Sequence, residues 1–447
     1  MSLQAGDLPC GTRFRTVNGR HGEVGELLGK GGQGSVYRVT LDGLHCALKW
    51  YHDHYIAVDV GLRTRLERAT RRGAPTADFL WPMDLATVEG EESFGYLMPL
   101  RAAEFRPMND LIAPPPRRIE LTLGQRLRLC SRISRDFLEL HAGGFCYQDI
   151  NFGNIFLDPA SGRVLICDND NVNIDGADAS IYGTRKFMAP EIVRREMLPD
   201  SRTDLFSMAV LFFYVLFGWH PLDGRREHAI DMLTLDDEMR LYGLEPRFLF
   251  DPTDASNGPV PGFHDWQAAR WRALTPLLRQ LFLRAFTVGL SNRDARVMES
   301  EWQAAFADAA DADFACSRCG FEHVAANCDE ALGLPADCHG CGEPLEAPAF
   351  LDCGRGLVSL VLGREFDGGL APLAGTGTVS ARVEEHPRKP GVRGLRNLSG
   401  GDWHVRSPEG SALRVREGQA VRLLPGTVIT HARGAGKVRG VAQPVTA

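Results

Sequence analysis

Alternating β-like runs open the chain and give way to long amphipathic helices. Gly25–Leu28 and Ser35–Thr40 predict strands flanking a glycine loop, and His45–Tyr51 predicts another. Val60–Arg72 reads as a helix and Phe94–Leu100 as a further strand. After the break at Ala113–Arg117, Leu121–Ala142 carries helical spacing. Strands early and helices late, from about Gly22 to Ala310, predict an α+β body of two lobes. Ala309–Asp313 reads as a helix end and linker. Residues 313–347 are short, Cys-paired and punctuated by Gly and Pro. From Ala349 onward, Val- and Leu-rich runs separated by Gly, Asn, Ser and Pro at roughly eight- to twelve-residue intervals predict an all-β unit.

Composition changes this picture little. The 447 residues are 44% hydrophobic and 24% charged, which excludes a disordered chain. The net charge of −7 is unevenly spread: Leu351–Ala447 carries +6 and the rest −13. An acidic body is not built to wrap nucleic acid, whereas a basic tail suggests an anionic partner. The most apolar run, Met208–Trp219, falls short of the roughly 18 to 20 residues that span a bilayer, and the N-terminus has no apolar signal region. Eleven cysteines are too sparse for a disulfide scaffold, and four fall in CxxC pairs that point to metal. A cytoplasmic protein without membrane attachment is expected.

Candidate chemistry starts at Gly29-Lys30-Gly31-Gly32-Gln33-Gly34-Ser35-Val36, a loop able to set backbone N–H groups against phosphate oxygens. Alone it is a common turn. Lys49, near the end of a predicted strand, would be costly to bury unpaired, and Glu67 on the next helix offers a carboxylate. A surface lysine and an unrelated acid on a basic helix fit those two residues equally well. The decisive segment is Tyr147-Gln148-Asp149-Ile150-Asn151-Phe152-Gly153-Asn154, followed by Val164-Leu165-Ile166-Cys167-Asp168. A carboxylate to orient a hydroxyl, with an amide and a second carboxylate for Mg²⁺, is the minimal apparatus of phosphoryl transfer.

Residues from about Gly22 to Ala310 resemble a eukaryotic-type (Hanks-type) protein kinase domain of the kind found in bacteria. The resemblance implies a kinase domain over 1–312, with an N-lobe to about residue 98 and a C-lobe over 102–312. It implies ATP held by Gly29, Gly31, Gly34, Val36, Ala47, Lys49, Met98, Pro99 and the backbone of Arg101. A Lys49–Glu67 ion pair, Asp149 as catalytic base, and Asn154 and Asp168 as Mg²⁺ ligands follow from it as well. Met188-Ala189-Pro190-Glu191 resembles the end of an activation segment, with Arg296 as the partner of Glu191 and Asp204 as the residue holding the catalytic loop. Gly183-Thr184 resembles the substrate loop of kinases directed to Ser and Thr, which implies protein substrates.

Four departures stand against the family pattern. Tyr147-Gln148 replaces His-Arg, Asn151 replaces a lysine, Asp168-Asn169-Asp170 replaces Asp-Phe-Gly, and Asn171–Phe187 is short. Without the arginine, an activation-loop phosphate has lost its usual docking partner. Asp170 is expected to add a carboxylate near the metals. A nucleotide-binding pseudokinase scaffold and a small-molecule kinase are the alternatives.

Cys316-Ser317-Arg318-Cys319 and Cys338-His339-Gly340-Cys341 predict a four-cysteine structural Zn²⁺ ribbon over 313–348. Cys328, between them, reads as a packed thiol, and His323 and His339 as surface residues. The tail, 349–447, resembles a degenerate forkhead-associated (FHA) β-sandwich through Val361-Leu362-Gly363-Arg364, Thr378-Val379-Ser380 and Gly394–Ser399. That resemblance implies Arg364 and Ser380 as phosphothreonine ligands and phosphothreonine-containing partners. Multidomain kinases of this composition often work beside a phosphatase.

Overall fold

The computed structural model describes residues 7–175, 182–327, 332–354, 356–366, 379–432 and 434–440. Cys328 and Thr378 lie outside these. Six strands open the chain: β1 (Arg13–Thr16), β2 (His21–Lys30), β3 (Gly34–Leu41), β4 (Leu44–Tyr51), β5 (Asp84–Thr87) and β6 (Phe94–Met98). They close into a barrel in the order β1-β2-β3-β4-β6-β5. The period of two does the sorting. Cys46, Leu48 and Trp50 of β4 join Phe14, Val24, Val39 and Leu97 in one core. Ala47 and Tyr51 join Tyr96 and Met98 of β6 on the other face, so Lys49 of β4 points the same way as Ala47 and Tyr51. The helix Leu62–Arg72 covers this face with Leu62, Leu66 and Ala69.

The helical part is organised around Ser201–Phe217, which is buried along nearly its whole length. Asp200 caps it in a reciprocal box with Thr203, and Gly218 ends it in the left-handed conformation. Phe213 stacks on Phe217 at 4.1 Å between ring centroids and meets Phe248 and Phe286 edge-on. Glu191 and Arg296 form a buried fork with both oxygen–nitrogen distances at 2.8 Å, and Arg296 also donates to the carbonyls of Gly289 and Arg202.

Two compact units partition the chain. One holds Met1–Glu120, Arg132–Gly258 and Arg284–Ser300; the other holds Leu121–Ser131, Pro259–Leu283 and Glu301–Ala447. The second unit therefore gathers helical segments with the Cys-rich stretch and the tail, across the boundary expected near residue 312. The reason is direct bonding: Arg270 donates to Glu322, the Leu123 N–H to the Glu322 carboxylate, and Arg128 to the Ala310 carbonyl. The expected linker is also structured, because the helix Glu299–Asp311 runs straight into a strand at Asp313–Ala315.

The tail forms two antiparallel sheets, one of six strands and one of four. Leu351, Phe366, Val383, Leu395, Trp403 and Ile429 are among its fully buried core residues. Among the described residues, no helix is long and apolar enough to cross a membrane.

Breaking a buried charge pair by removing one partner costs about 3–5 kcal/mol. Glu191→Ala should accordingly lower the melting temperature by roughly 10 °C. A thermal melt of the variant indistinguishable from wild type would mean the fork contributes nothing to the fold.

Candidate functional site

The glycine loop is the turn between β2 and β3. Gly34 is required there, because a Cβ would collide with the Trp50 carbonyl. The Gly31 N–H closes the turn onto the Gly34 carbonyl at 2.9 Å. Gly29 has open space around it. Val36 stands on β3, and Ala47 on β4 faces Met98 on β6 in register. Partly buried Val36, Leu100, Leu165 and Cys167 pack against the apolar cluster that contains Ala47 and Met98. Pro99 follows β6 and is exposed; Arg101 lays its guanidinium 4.3 Å from the Phe156 ring centroid and donates to the Phe105 carbonyl.

Lys49 is buried at 5% exposure, yet its ammonium is fully engaged. It donates to Asp170 at 2.8 and 3.1 Å, to Asp168 at 3.4 Å and to the Gln33 side chain at 2.8 Å. Burial alone would push its pKa down, but the Asp170 and Asp168 carboxylates outweigh that and hold it above the ordinary lysine value. Asp168 is pushed up, chiefly by desolvation and against the pull of Lys49.

The expected Lys49–Glu67 pair is not formed. Glu67 is half-buried, its side chain 45% exposed, and bonds Arg63, one helical turn earlier, at 3.3 Å. Helix phase is the cause: Leu62, Leu66 and Ala69 define the buried stripe, and Glu67 falls on the solvent side with Arg63. The expectation for Asp170 is corrected too. Its carboxylate is buried, taken up by Lys49, the Tyr51 hydroxyl at 2.7 Å and the Tyr96 hydroxyl at 3.4 Å. It does not stand open beside the metal ligands.

The catalytic-loop candidates converge. Asn154 donates to Asp149 Oδ2 at 3.1 Å, and the Thr184 hydroxyl to Oδ1 at 2.8 Å. Gly183 lets that loop approach: its φ is +94°, and a Cβ would lie 2.7 Å from the Gln148 carbonyl. Asn151 caps the turn by accepting from the Gly153 N–H and donating to the Asp149 carbonyl. Beside Asp149 a small cleft is lined by Tyr182, Thr184, Phe187, Met188 and Ile192. Neither Thr184 nor Gln33 was singled out as a bonding partner from sequence, since neither bond runs between sequence neighbours.

Behind the loop, Asp204 accepts the N–H groups of Tyr147 at 2.5 Å and Gln148 at 3.0 Å. The buried Tyr147 hydroxyl bonds the Cys167 carbonyl. His141 bridges Asp204, at 3.1 Å, and Glu299. Burial opposes its charge, but Asp204 and then Glu299 raise its pKa to about 9.

Residues 84–263 match the protein kinase domain family. That match covers 180 of the 447 residues, a stretch similar to protein kinase domains. Over 86 residues it is 34% identical to the serine/threonine-protein kinase SCH9 of Candida albicans, covering 18% of this chain and 11% of that protein. Over 211 residues it is 25% identical to the serine/threonine-protein kinase pkn2 of Myxococcus xanthus, covering 44% and 24%. Over 227 residues it is 28% identical to the protein kinase YegI of Escherichia coli, covering 47% and 34%. The chain thus spans about a tenth to a third of the length of these relatives. The matched region contains Asp149, Asn154 and Asp168, whereas the glycine loop and Lys49 precede it.

In the second unit the Sγ atoms of Cys316, Cys319, Cys338 and Cys341 lie within 4.8 Å of one another. N–H groups of Phe321 and Gly340 point at two of them, and backbone N–H groups lower the Cys316 thiol to about 7. Four convergent thiols in a backbone cradle fit a tetrahedral Zn²⁺. His323 is buried rather than at the surface, its ring against Cys338 Sγ at 3.3 Å.

The phosphothreonine assignment is corrected. Arg364 is mostly buried and bonded to the Asp313 carboxylate at 2.8 Å and the Ser359 hydroxyl at 2.6 Å. Ser380 is buried and bonds the Phe366 carbonyl. Both side chains are spent inside the unit, so no open phosphate fork exists there.

A histidine pKa raised from 6.5 to about 9 stabilises the fold in full below pH 6.5 and loses that contribution as pH rises through 9. Wild type should therefore lose a few kcal/mol of stability between pH 6.5 and 10 that His141→Gln never has. Parallel stability curves for the two proteins across this range would show that His141 is not charged in the fold.

Proposed function

We propose that this chain transfers the γ-phosphoryl group of MgATP to Ser or Thr hydroxyls of proteins. The observation that carries the reading is that four separate segments supply two bonded groups, Lys49 with Asp168 and Asp149 with Asn154 and Thr184, near enough that the Asp149 charge acts on Asp168. A buried ammonium beside two carboxylates, with a third carboxylate lining a small cleft, is the kind of charge cluster that functional sites concentrate.

In this reading Lys49 holds the nucleotide phosphates, and the glycine-loop N–H groups close over them. Apolar Val36, Ala47 and Met98 take the base, with the carbonyl of Pro99 and the N–H of Arg101 facing its polar edge. Asn154 and Asp168 supply the oxygen donors suited to Mg²⁺, which neutralises developing charge on the phosphates. Asp149, fixed by Asn154 and Thr184, orients the acceptor hydroxyl entering past Tyr182 and Met188 and takes up its proton. Catalysis is then positioning plus electrostatics. Tyr147 and Asn151 support the reading by replacing the loop-holding work of the absent side chains with bonds of their own. The four cysteines would hold one structural Zn²⁺, closed to substrate, and the two-sheet tail serves as an FHA-like scaffold without phosphothreonine recognition.

Incubation with labelled MgATP, followed by mass-spectrometric site mapping, should show phosphate on Ser or Thr with wild type. Lys49→Met and Asp168→Ala should each lose it. Transfer by either variant at the wild-type rate would remove the site assignment. ATP binding with no transfer by wild type would leave a nucleotide-binding scaffold.

Elemental analysis of the purified chain should find about one zinc per molecule, reduced in Cys319→Ser. Equal zinc in the two proteins would exclude the ribbon site.

A further inference from the structure

The strongest unexplained feature is the buried carboxylate of Asp170. It sits at 2% exposure inside the site, two residues beyond Asp168, with both oxygens engaged. A carboxylate there costs several kcal/mol in desolvation unless a cation and hydrogen-bond donors meet it. They do: Lys49 approaches both oxygens, and the hydroxyls of Tyr51 and Tyr96 donate from the same face of β4 and β6. Glu67, the acid on the covering helix, bonds Arg63 instead.

We infer that Asp170 is the positioning carboxylate for Lys49, in place of any acid on the Leu62–Arg72 helix. The inference rests on the kinase reading above and adds to it the source of the lysine's orientation. A geometric consequence follows. When the partner of a phosphate-binding lysine lies on a mobile helix, moving the helix breaks the pair and switches the site off. Here the partner lies on the same short turn as Asp168, an expected Mg²⁺ ligand, and that turn is tied to the barrel through Tyr51 and Tyr96. The turn Asp168–Asn171 is itself held, since the Asn169 amide donates to the Ile166 carbonyl at 2.9 Å. Lys49 and Asp168 are therefore both tied to the Asp168–Asn171 turn, and no acid of the helix supplies the carboxylate that Lys49 bonds. Gln33 completes the shell from the glycine loop, accepting from Lys49 and donating to Tyr55 at 3.1 Å.

A double-mutant cycle separates this role from simple support of the fold. Asp170→Asn should lower the turnover of labelled MgATP by about 100-fold, as loss of a preorganised electrostatic group does, with little change in KM for ATP. Lys49→Met with Asp170→Asn should be no worse than Lys49→Met alone, because both remove one device. Asp170→Glu should recover part of the rate, and Glu67→Gln should stay within about twofold of wild type.

Additive losses in the cycle would overturn the inference, as would a Glu67→Gln variant as inactive as Lys49→Met. Glu67→Gln changes a half-buried side chain whose ion-pair partner is Arg63, so its loss of activity would overturn the inference even if Asp170→Asn fails to fold. If wild type binds MgATP without transferring phosphate, the kinase reading fails. The same cycle read in MgATP dissociation constants then tests the Lys49–Asp170 coupling by itself: non-additive changes retain the pairing and additive ones overturn it.

Discussion

An ammonium group buried inside a protein is tolerable only where a carboxylate and further acceptors replace its water, and Lys49 imposes that demand on the first unit. β4 delivers the lysine to the face shared with Ala47 and Tyr51. Asp170 meets it, Tyr51 and Tyr96 satisfy the remaining lone pairs, and Gln33 reaches down from the glycine loop. Barrel, glycine loop and the Asp168 turn are joined through this one cation. Without it the buried Asp170 carboxylate would stand uncompensated beside the half-exposed Asp168, which is the costlier arrangement.

A second charged centre does comparable work below the cleft. Asp204 accepts the consecutive backbone N–H groups of Tyr147 and Gln148 and is itself tied through His141 to Glu299. These bonds hold the loop although Tyr147-Gln148 stands where the kinase resemblance implies His-Arg. Tyr147 is driven inward by its ring, against Phe137 at 5.5 Å, and its hydroxyl finds the Cys167 carbonyl. Gln148 pays with a φ of +73°, a conformation uncommon for a side chain of its size. The departures from the family pattern are thus absorbed as local hydrogen bonds while Asp149 and Asn154 keep their mutual contact.

Legibility differed from residue to residue. Strand and helix positions in the N-terminal part were readable to within a few residues, because alternation and helical spacing are local properties. The prediction of Val60–Arg72 against the observed Leu62–Arg72 is typical. Glu67 was misread because its spacing from Lys49 was weighed without its phase on the helix. The stripe Leu62, Leu66 and Ala69 was visible in the sequence and would have placed it outward. Arg364 was misread for another reason. A Gly-Arg step at the start of a sandwich marks a phosphate fork only if the arginine stays free. Its capture by Asp313, fifty-one residues earlier, has no local signature.

What the amino-acid sequence determined by itself is the inventory and its local geometry: the glycine turn, the strand lysine, the Asp149–Asn154 spacing, the CxxC pairs and the alternation of the tail. These follow from backbone sterics and periodicity over a few residues. The tertiary structure decided which charges meet. Lys49 takes Asp170 across 121 residues, Glu191 takes Arg296 across 105, and Arg364 takes Asp313 across 51. Ion pairing depends on distance and on the water removed around each group, and both quantities exist only once the chain has packed.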